Sequence, residues 1–128
     1  MNLKNCKICV WKKRKTFVLD LTDKSSGNGT ILEINEYKGE KNQQFYLSEN
    51  SDGSFIIKTK ISENKSAVEI KDGGKGSGNL VQQWTLNGEA WQNWIFEEVQ
   101  LPKYSLGTVV KTQIYKDKDC VHTVVFVK

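Results

Sequence analysis

Proline occurs once in the 128 residues, histidine once, and arginine once against eighteen lysines. No apolar run approaches the roughly 20 residues that cross a bilayer as a helix, so membrane insertion is not expected. The opening segment, Met1-Asn2-Leu3-Lys4-Asn5, lacks the roughly 7–15-residue apolar stretch of a signal peptide. The compartment stays undefined, and a domain cut from a longer secreted protein fits as well as a cytoplasmic chain. Arginine is the usual residue for bidentate contacts to phosphate and base edges, and lysine is a hydrated point charge. A net charge of +4 built almost wholly from lysine therefore argues against nucleic acid as a partner. The densest basic cluster, Lys12-Lys13-Arg14-Lys15, reads as a solvated turn between strands, with a polyanion contact as the sharper alternative.

Three cysteines make an odd set: Cys6 and Cys9 at C-x-x-C spacing, and Cys120 two residues before His122. Four such ligands suit zinc in principle. Yet Cys6-Lys7-Ile8-Cys9-Val10 also reads as a strand, where residues three apart point to opposite faces. Small buried apolar residues, a disulfide and a metal site all remain open, and no structural metal or cofactor is expected. His122 has no nucleophile-elbow partner, and no spacing among the fifteen acids singles out a catalytic pair. The chain is read as a non-enzyme.

What is present is β structure. No window sustains apolar residues at helical spacing over three turns. Short runs rich in β-branched and aromatic residues recur instead, closed by Gly, Asn, Asp or Ser. Ten strands are expected, beginning near Lys7–Val10, Thr16–Leu21, Thr30–Asn35 and Gln43–Leu47, and ending near Thr108–Tyr115 and Thr123–Val127. Ten glycines mark turns, as in Asp72-Gly73-Gly74-Lys75-Gly76-Ser77-Gly78. Strands at this spacing indicate an all-β barrel or sandwich.

One pattern is stated twice, about 49 residues apart. The first copy is Val18-Leu19-Asp20-Leu21, then Gly29-Thr30-Ile31-Leu32-Glu33-Ile34, then Asn42-Gln43-Gln44-Phe45. The second is Ala67-Val68-Glu69-Ile70, then Gly78-Asn79-Leu80-Val81-Gln82-Gln83-Trp84, then Trp91-Gln92-Asn93-Trp94. Residues 6–52 form a first four-stranded unit and 53–99 a second, within one domain spanning 1–128. Three such units close a small barrel capped by hairpins, a β-trefoil. Only residues 100–128 remain for a third, and the stretch from Gly107 to Lys116 echoes Gly29 to Lys38 without a Gln-x-aromatic ending. The third unit is expected to be shortened or diverged, with Pro102 near the junction.

This arrangement resembles the ricin B-type lectins, β-trefoils marked by a repeated Gln-x-Trp. Gln92-Asn93-Trp94 matches fully, and Gln43-Gln44-Phe45 matches with Phe for Trp. Leu19-Asp20-Leu21 and Asp52-Gly53-Ser54-Phe55 also resemble the family's strand and turn sequences. Phe45 and Trp94 are expected in the core, in equivalent places. The resemblance implies carbohydrate binding, through an acid after the second strand, a ring ending the third, and an Asn and Gln that follow. In the second unit these are Glu69, Trp84, Asn87 and Gln92, with Glu one methylene longer than the family's Asp. In the first they are Asp20, Asn35, Lys38 and Gln43, with Asn35 where the ring belongs, so the second unit is the stronger site. A trefoil that binds protein through loops such as Ser62–Ser66 or Lys71–Asn79 is the alternative. One good site would gain strength from oligomerisation or attachment to another domain.

Overall fold

A computed structural model describes residues 2–6, 9–12, 16–96, 111–117 and 120–126, with side chains over 17–96. Eleven strands follow in chain order: β1 Asn2–Cys6, β2 Cys9–Lys12, β3 Thr16–Leu21, β4 Leu32–Glu36, β5 Phe45–Glu49, β6 Phe55–Thr59, β7 Ser66–Ile70, β8 Val81–Thr85, β9 Asn93–Trp94, β10 Lys111–Asp117 and β11 Cys120–Phe126. Among the described residues every helical piece is a three-residue 3-10 turn, and no helix is long and apolar enough to cross a membrane.

The strands form three sheets, all antiparallel. One runs β1-β5-β6-β7-β8 with β9 also on β6, one runs β2-β3-β4, and β10 pairs with β11. Of the stretch expected as one strand over Lys7–Val10, Cys9 and Val10 lie in β2, and Lys7 and Ile8 lie outside the described residues. Cys6 ends β1 opposite Phe45, and Cys9 begins β2 opposite Val18, so flanking pieces serve two different sheets. The strand expected over Asn93–Val99 is described only as the two-residue β9, paired through Phe55–Trp94 and Ile56–Asn93. In the C-terminal stretch the described part is one hairpin, in which Ile114 faces Thr123 and Tyr115 faces His122. Residues 97–110, which carry the Pro102 junction, lie outside the described residues. So do the side chains of Cys6, Cys9, Cys120 and His122 and most of the Lys12–Lys15 cluster. Among the described residues no group of three or more His, Cys, Asp or Glu is placed to hold a metal.

The internal repeat is reproduced element by element. β3, β4 and the turns Thr22–Lys24 and Lys41–Gln43 recur at one offset as β7, β8 and the turns Lys71–Gly73 and Ala90–Gln92. The ladders agree in register: Asp20 faces Glu33, and Glu69 faces Gln82. The same non-glycine left-handed residue sits at the centre of both first turns, Asp23 at φ 55 and ψ 16 and Asp72 at φ 55 and ψ 21. Aspartate is one of the few L-residues that visit this region, because its short polar side chain bonds locally.

The core is shared between the two units. Phe45, Leu47, Ile57 and Val68 form its buried centre, with Leu19, Leu32, Phe55, Val81, Trp94 and Phe96 packed against it. Phe45 is fully buried, and Trp94 is half-buried with its indole N–H donating to the Val68 carbonyl at 2.9 Å. Gln83 joins the units. Its N–H donates to Thr30 O at 2.7 Å, its carbonyl accepts from Gly29 N–H at 2.8 Å, and its Nε2 donates to Gly27 O at 3.0 Å. Asn28 adds to this seam by accepting on Oδ1 from Thr85 N–H at 2.8 Å and from Thr85 Oγ1 at 3.0 Å.

Candidate functional site

Residues directly opposite in an antiparallel pair project to one face. Glu69 with Gln82 and Ala67 with Trp84 therefore share a face of the β7–β8 hairpin. Glu69 is only 3% exposed. Its Oε1 accepts from Gln82 Nε2 and its Oε2 from Gln92 Nε2, both at 2.9 Å. The 3-10 turn Ala90–Gln92 carries Gln92 back beneath the hairpin end. There its second N–H donates to Thr85 O at 3.0 Å, and its Oε1 accepts from Asn87 N–H at 3.2 Å. Both amide hydrogens of Gln92 thus end on protein acceptors. Trp84 is 40% exposed, and Asn87 stands in the exposed loop after β8 with Oδ1 accepting from Glu89 N–H at 3.0 Å. The structure brings Glu69, Gln92 and the Asn87 backbone into one bonded cluster. It sets Trp84 on the same hairpin face, at the open end.

The first unit repeats the cluster with a shorter acid. Asp20 is 4% exposed. Its Oδ2 accepts from Gln43 Nε2 and its Oδ1 from Asn42 Nδ2, both at 2.7 Å. Gln43 also donates to Glu36 O at 2.9 Å and accepts from Lys38 N–H at 2.7 Å. Lys38 takes part through its backbone, and its side chain is exposed. Asn35, in the place of Trp84, turns its Oδ1 onto the Glu36 N–H at 2.8 Å. The ring nearest that position is Tyr37, 37% exposed and just past the end of β4.

Two partners were missed from the sequence. Asn42 precedes Gln43 directly, and adjacency to the Gln-x-aromatic run was its only signal. Gln82 is found only through the cross-strand register with Glu69. The two units also differ in a correlated way. Asp20 takes its second amide from the 3-10 turn, whereas the longer Glu69 takes it across the ladder. That leaves Trp91, the counterpart of Asn42, free to pack its ring on Gly73: a Cβ added there would lie 2.7 Å from Trp91 Cε3.

A cavity of about 470 Å³, lined by Ile70, Gly73, Gly74, Val81, Trp91 and Trp94 among others, opens beside this contact. Ile70 and Val81 face each other one step along from Glu69 and Gln82, so this cavity lies on the opposite hairpin face. A second, more polar hollow of about 470 Å³ lies at the seam between Asn28, Ser62, Glu63 and Thr85. Trp84 and Asn87 line neither of these two. Outside the site, the Ser54 hydroxyl and backbone N–H hold the Asp52 carboxyl below its ordinary range, and Lys65 does the same for Glu63.

The sequence matches the model of a family described as ricin-type beta-trefoil lectin domain-like, in two overlapping stretches, residues 8–84 and 41–116. The similar solved structures include these two. One is an exo-beta-1,3-galactanase from Clostridium thermocellum, 24% identical with a TM-score of 0.59 over 62% of this chain and 17% of that one. The chain therefore corresponds to a small part of the galactanase. The other is the designed 3-fold symmetric protein ThreeFoil, 21% identical with a TM-score of 0.62 over 71% of this chain and 70% of that one. At these identities both likenesses speak to fold alone, and with the family match they make the fold an all-β trefoil. No curated protein sequence matches this chain.

Proposed function

We propose that this chain, which belongs to the ricin-type beta-trefoil lectin domain-like family, binds carbohydrate, chiefly through its second unit. The observation that carries the reading is the exposed Trp84 ring on the same hairpin face as the doubly anchored Glu69. A sugar has an apolar face and a rim of vicinal hydroxyls. In this reading the indole covers the apolar face by stacking, and hydroxyls are met at the edge of the ring. Each Glu69 oxygen has one amide donor, and a carboxylate offers about four acceptor sites in all. Glu69 is only 3% exposed, so in this reading a hydroxyl reaches what the amides leave through a small shift of Gln82 or Gln92. The Asn87 amide, exposed in the following loop, supplies the second polar contact.

Gln92 acts in this reading by positioning, because its amide is committed to Glu69, Thr85 and Asn87. The first unit, with Asp20, Asn35, Lys38 and Gln43, is the weaker site. It keeps the acid and amide, but Asn35 stands where stacking is needed. The reading requires no metal or cofactor and no chemistry. With one strong site the monovalent affinity is low, and an oligomer or a larger parent protein would raise it through effective concentration.

Titration against a broad glycan panel tests the proposal, with Trp84→Ala and Glu69→Gln as variants checked for intact fold. Wild type is expected to bind at least one glycan with a change in tryptophan emission. Trp84→Ala should lose most of the binding. If wild type binds no glycan, or both folded variants bind as it does, the reading fails. A protein partner held by the loops over 62–66 and 71–79 then takes its place.

A further inference from the structure

The chain contains two Asn-Gly pairs, Asn28-Gly29 and Asn87-Gly88, and their backbones are held in opposite ways. We infer that Asn87-Gly88 is a site of spontaneous covalent modification, converting to aspartate and isoaspartate in the folded protein, and that Asn28-Gly29 is protected. The inference does not rest on the glycan reading.

The reaction needs a backbone nitrogen free to attack, a carbonyl polarised to receive it, and no side chain in the way. Gly88 supplies the first and third. Its N–H has no hydrogen-bond partner among the described residues, and the space a Cβ would occupy is empty to 4 Å. Asn87 supplies the second. Its Oδ1 accepts from Glu89 N–H at 3.0 Å, which stabilises negative charge building on that oxygen as Cγ is attacked. All three residues are exposed to the water that completes the reaction.

The step balances simply. The Gly88 nitrogen bonds to Asn87 Cγ, the Cγ–Nδ2 bond breaks, and ammonia leaves with the proton that Gly88 gives up. Water then opens the cyclic imide at either carbonyl, to aspartate or isoaspartate.

At the other pair the space beside Gly29 is equally empty and Asn28 Oδ1 is also hydrogen-bonded, so protection rests on the engaged nitrogen and the pinned side chain. The Gly29 N–H is donated to Gln83 O at 2.8 Å, so its nitrogen is not free. Asn28 Oδ1 is fixed by two donors of Thr85, which pins the side chain to β8. Attack at Asn28 requires this seam to open first. Opening one or two hydrogen bonds of ordinary net strength corresponds to a rate difference on the order of tenfold.

The test is peptide mapping by mass spectrometry of the purified full chain, incubated folded in mildly alkaline buffer. An isoaspartyl methyltransferase assay serves as a second readout, and the same chain in denaturant serves as reference. In denaturant both pairs should convert at similar rates. In the folded protein Asn87 should convert faster than Asn28, by on the order of tenfold. Equal or reversed native rates would overturn the inference. So would an Asn87 amide that persists in the folded chain while converting in denaturant.

Discussion

Gln92 Nε2 donates to Glu69 Oε2 at 2.9 Å, and at the same place in the first unit Gln43 Nε2 donates to Asp20 Oδ2 at 2.7 Å. Each glutamine also donates to a carbonyl at or next to a strand end, Thr85 or Glu36, and accepts from a loop N–H, Asn87 or Lys38. The glutamine of Gln-x-aromatic therefore ties the acid, the hairpin end and the returning loop together. The recurrence of this residue has a structural cause, whatever the site binds.

Gln92→Ala is expected to destabilise the fold by about 1–3 kcal/mol, since it strips a donor from a buried carboxylate and leaves Thr85 O and Asn87 N–H without their partner. Urea unfolding reads this directly. A midpoint equal to that of wild type would mean that water replaces the amide without loss.

Phe45 and Trp94 occupy equivalent places and should differ in how they fail. Phe45 is fully buried, so Phe45→Ala should cost about 3–5 kcal/mol. Trp94 is half-buried, and part of its contribution is the indole bond to Val68 O. Trp94→Phe keeps a ring and loses that bond, for about 0.5–1.5 kcal/mol. Thermal or chemical unfolding that ranks Trp94→Phe as worse than Phe45→Ala would contradict this assignment.

The strand-and-turn order and the repeat offset were legible in the sequence because alternation and turn residues are local signals. The residues of the proposed site could be nominated only as a set at family offsets. What the sequence did not disclose is how deeply the acids sit. Glu69 and Asp20 are charged residues that ordinarily belong at the surface, and they are buried here because distant amides satisfy them. Gln82 meets Glu69 only through ladder register, which depends on how two strands pair rather than on either strand. That Cys6 and Cys9 pair in different sheets escaped notice for a related reason. A run that reads as one strand can serve two sheets, and the partners Phe45 and Val18 lie far along the chain.

Asp52 offers a test by pH. The Ser54 hydroxyl and N–H donate to its Oδ1 at 2.6 and 2.9 Å, and these bonds lower its carboxyl pKa. A depressed folded-state value means the stabilisation is present above the unfolded carboxylate range. It is lost as pH falls through the lowered folded value. Removing the hydroxyl with Ser54→Ala should move the Asp52 titration upward, as followed by NMR of the carboxyl carbon. An unmoved titration would assign the depression to another group.

The contact between Gly73 and Trp91 yields the sharpest test of how the second unit departs from the first. Gly73 lies at φ +63, yet Lys24, its counterpart, holds φ 51 with a full side chain. Backbone angle alone therefore does not demand glycine here. Trp91 does, because its Cε3, Cδ2 and Cζ3 would lie 2.7, 3.0 and 3.1 Å from an added Cβ, and the counterpart of Trp91 is the smaller Asn42. Gly78, at φ +83, is the control, since nothing lies within 4 Å of its added Cβ. Gly78→Ala should cost only the left-handed penalty of about 1–2 kcal/mol. Gly73→Ala should add an overpacking cost of about 1–3 kcal/mol to a similar penalty. Combining Gly73→Ala with Trp91→Asn restores the first unit's pairing of a side chain with a small neighbour. The double mutant should then be more stable than the two single effects added, with a coupling of about 0.5–3 kcal/mol in a double-mutant cycle. Strict additivity would show that the ring has room to move, and that Gly73 is kept for its backbone after all.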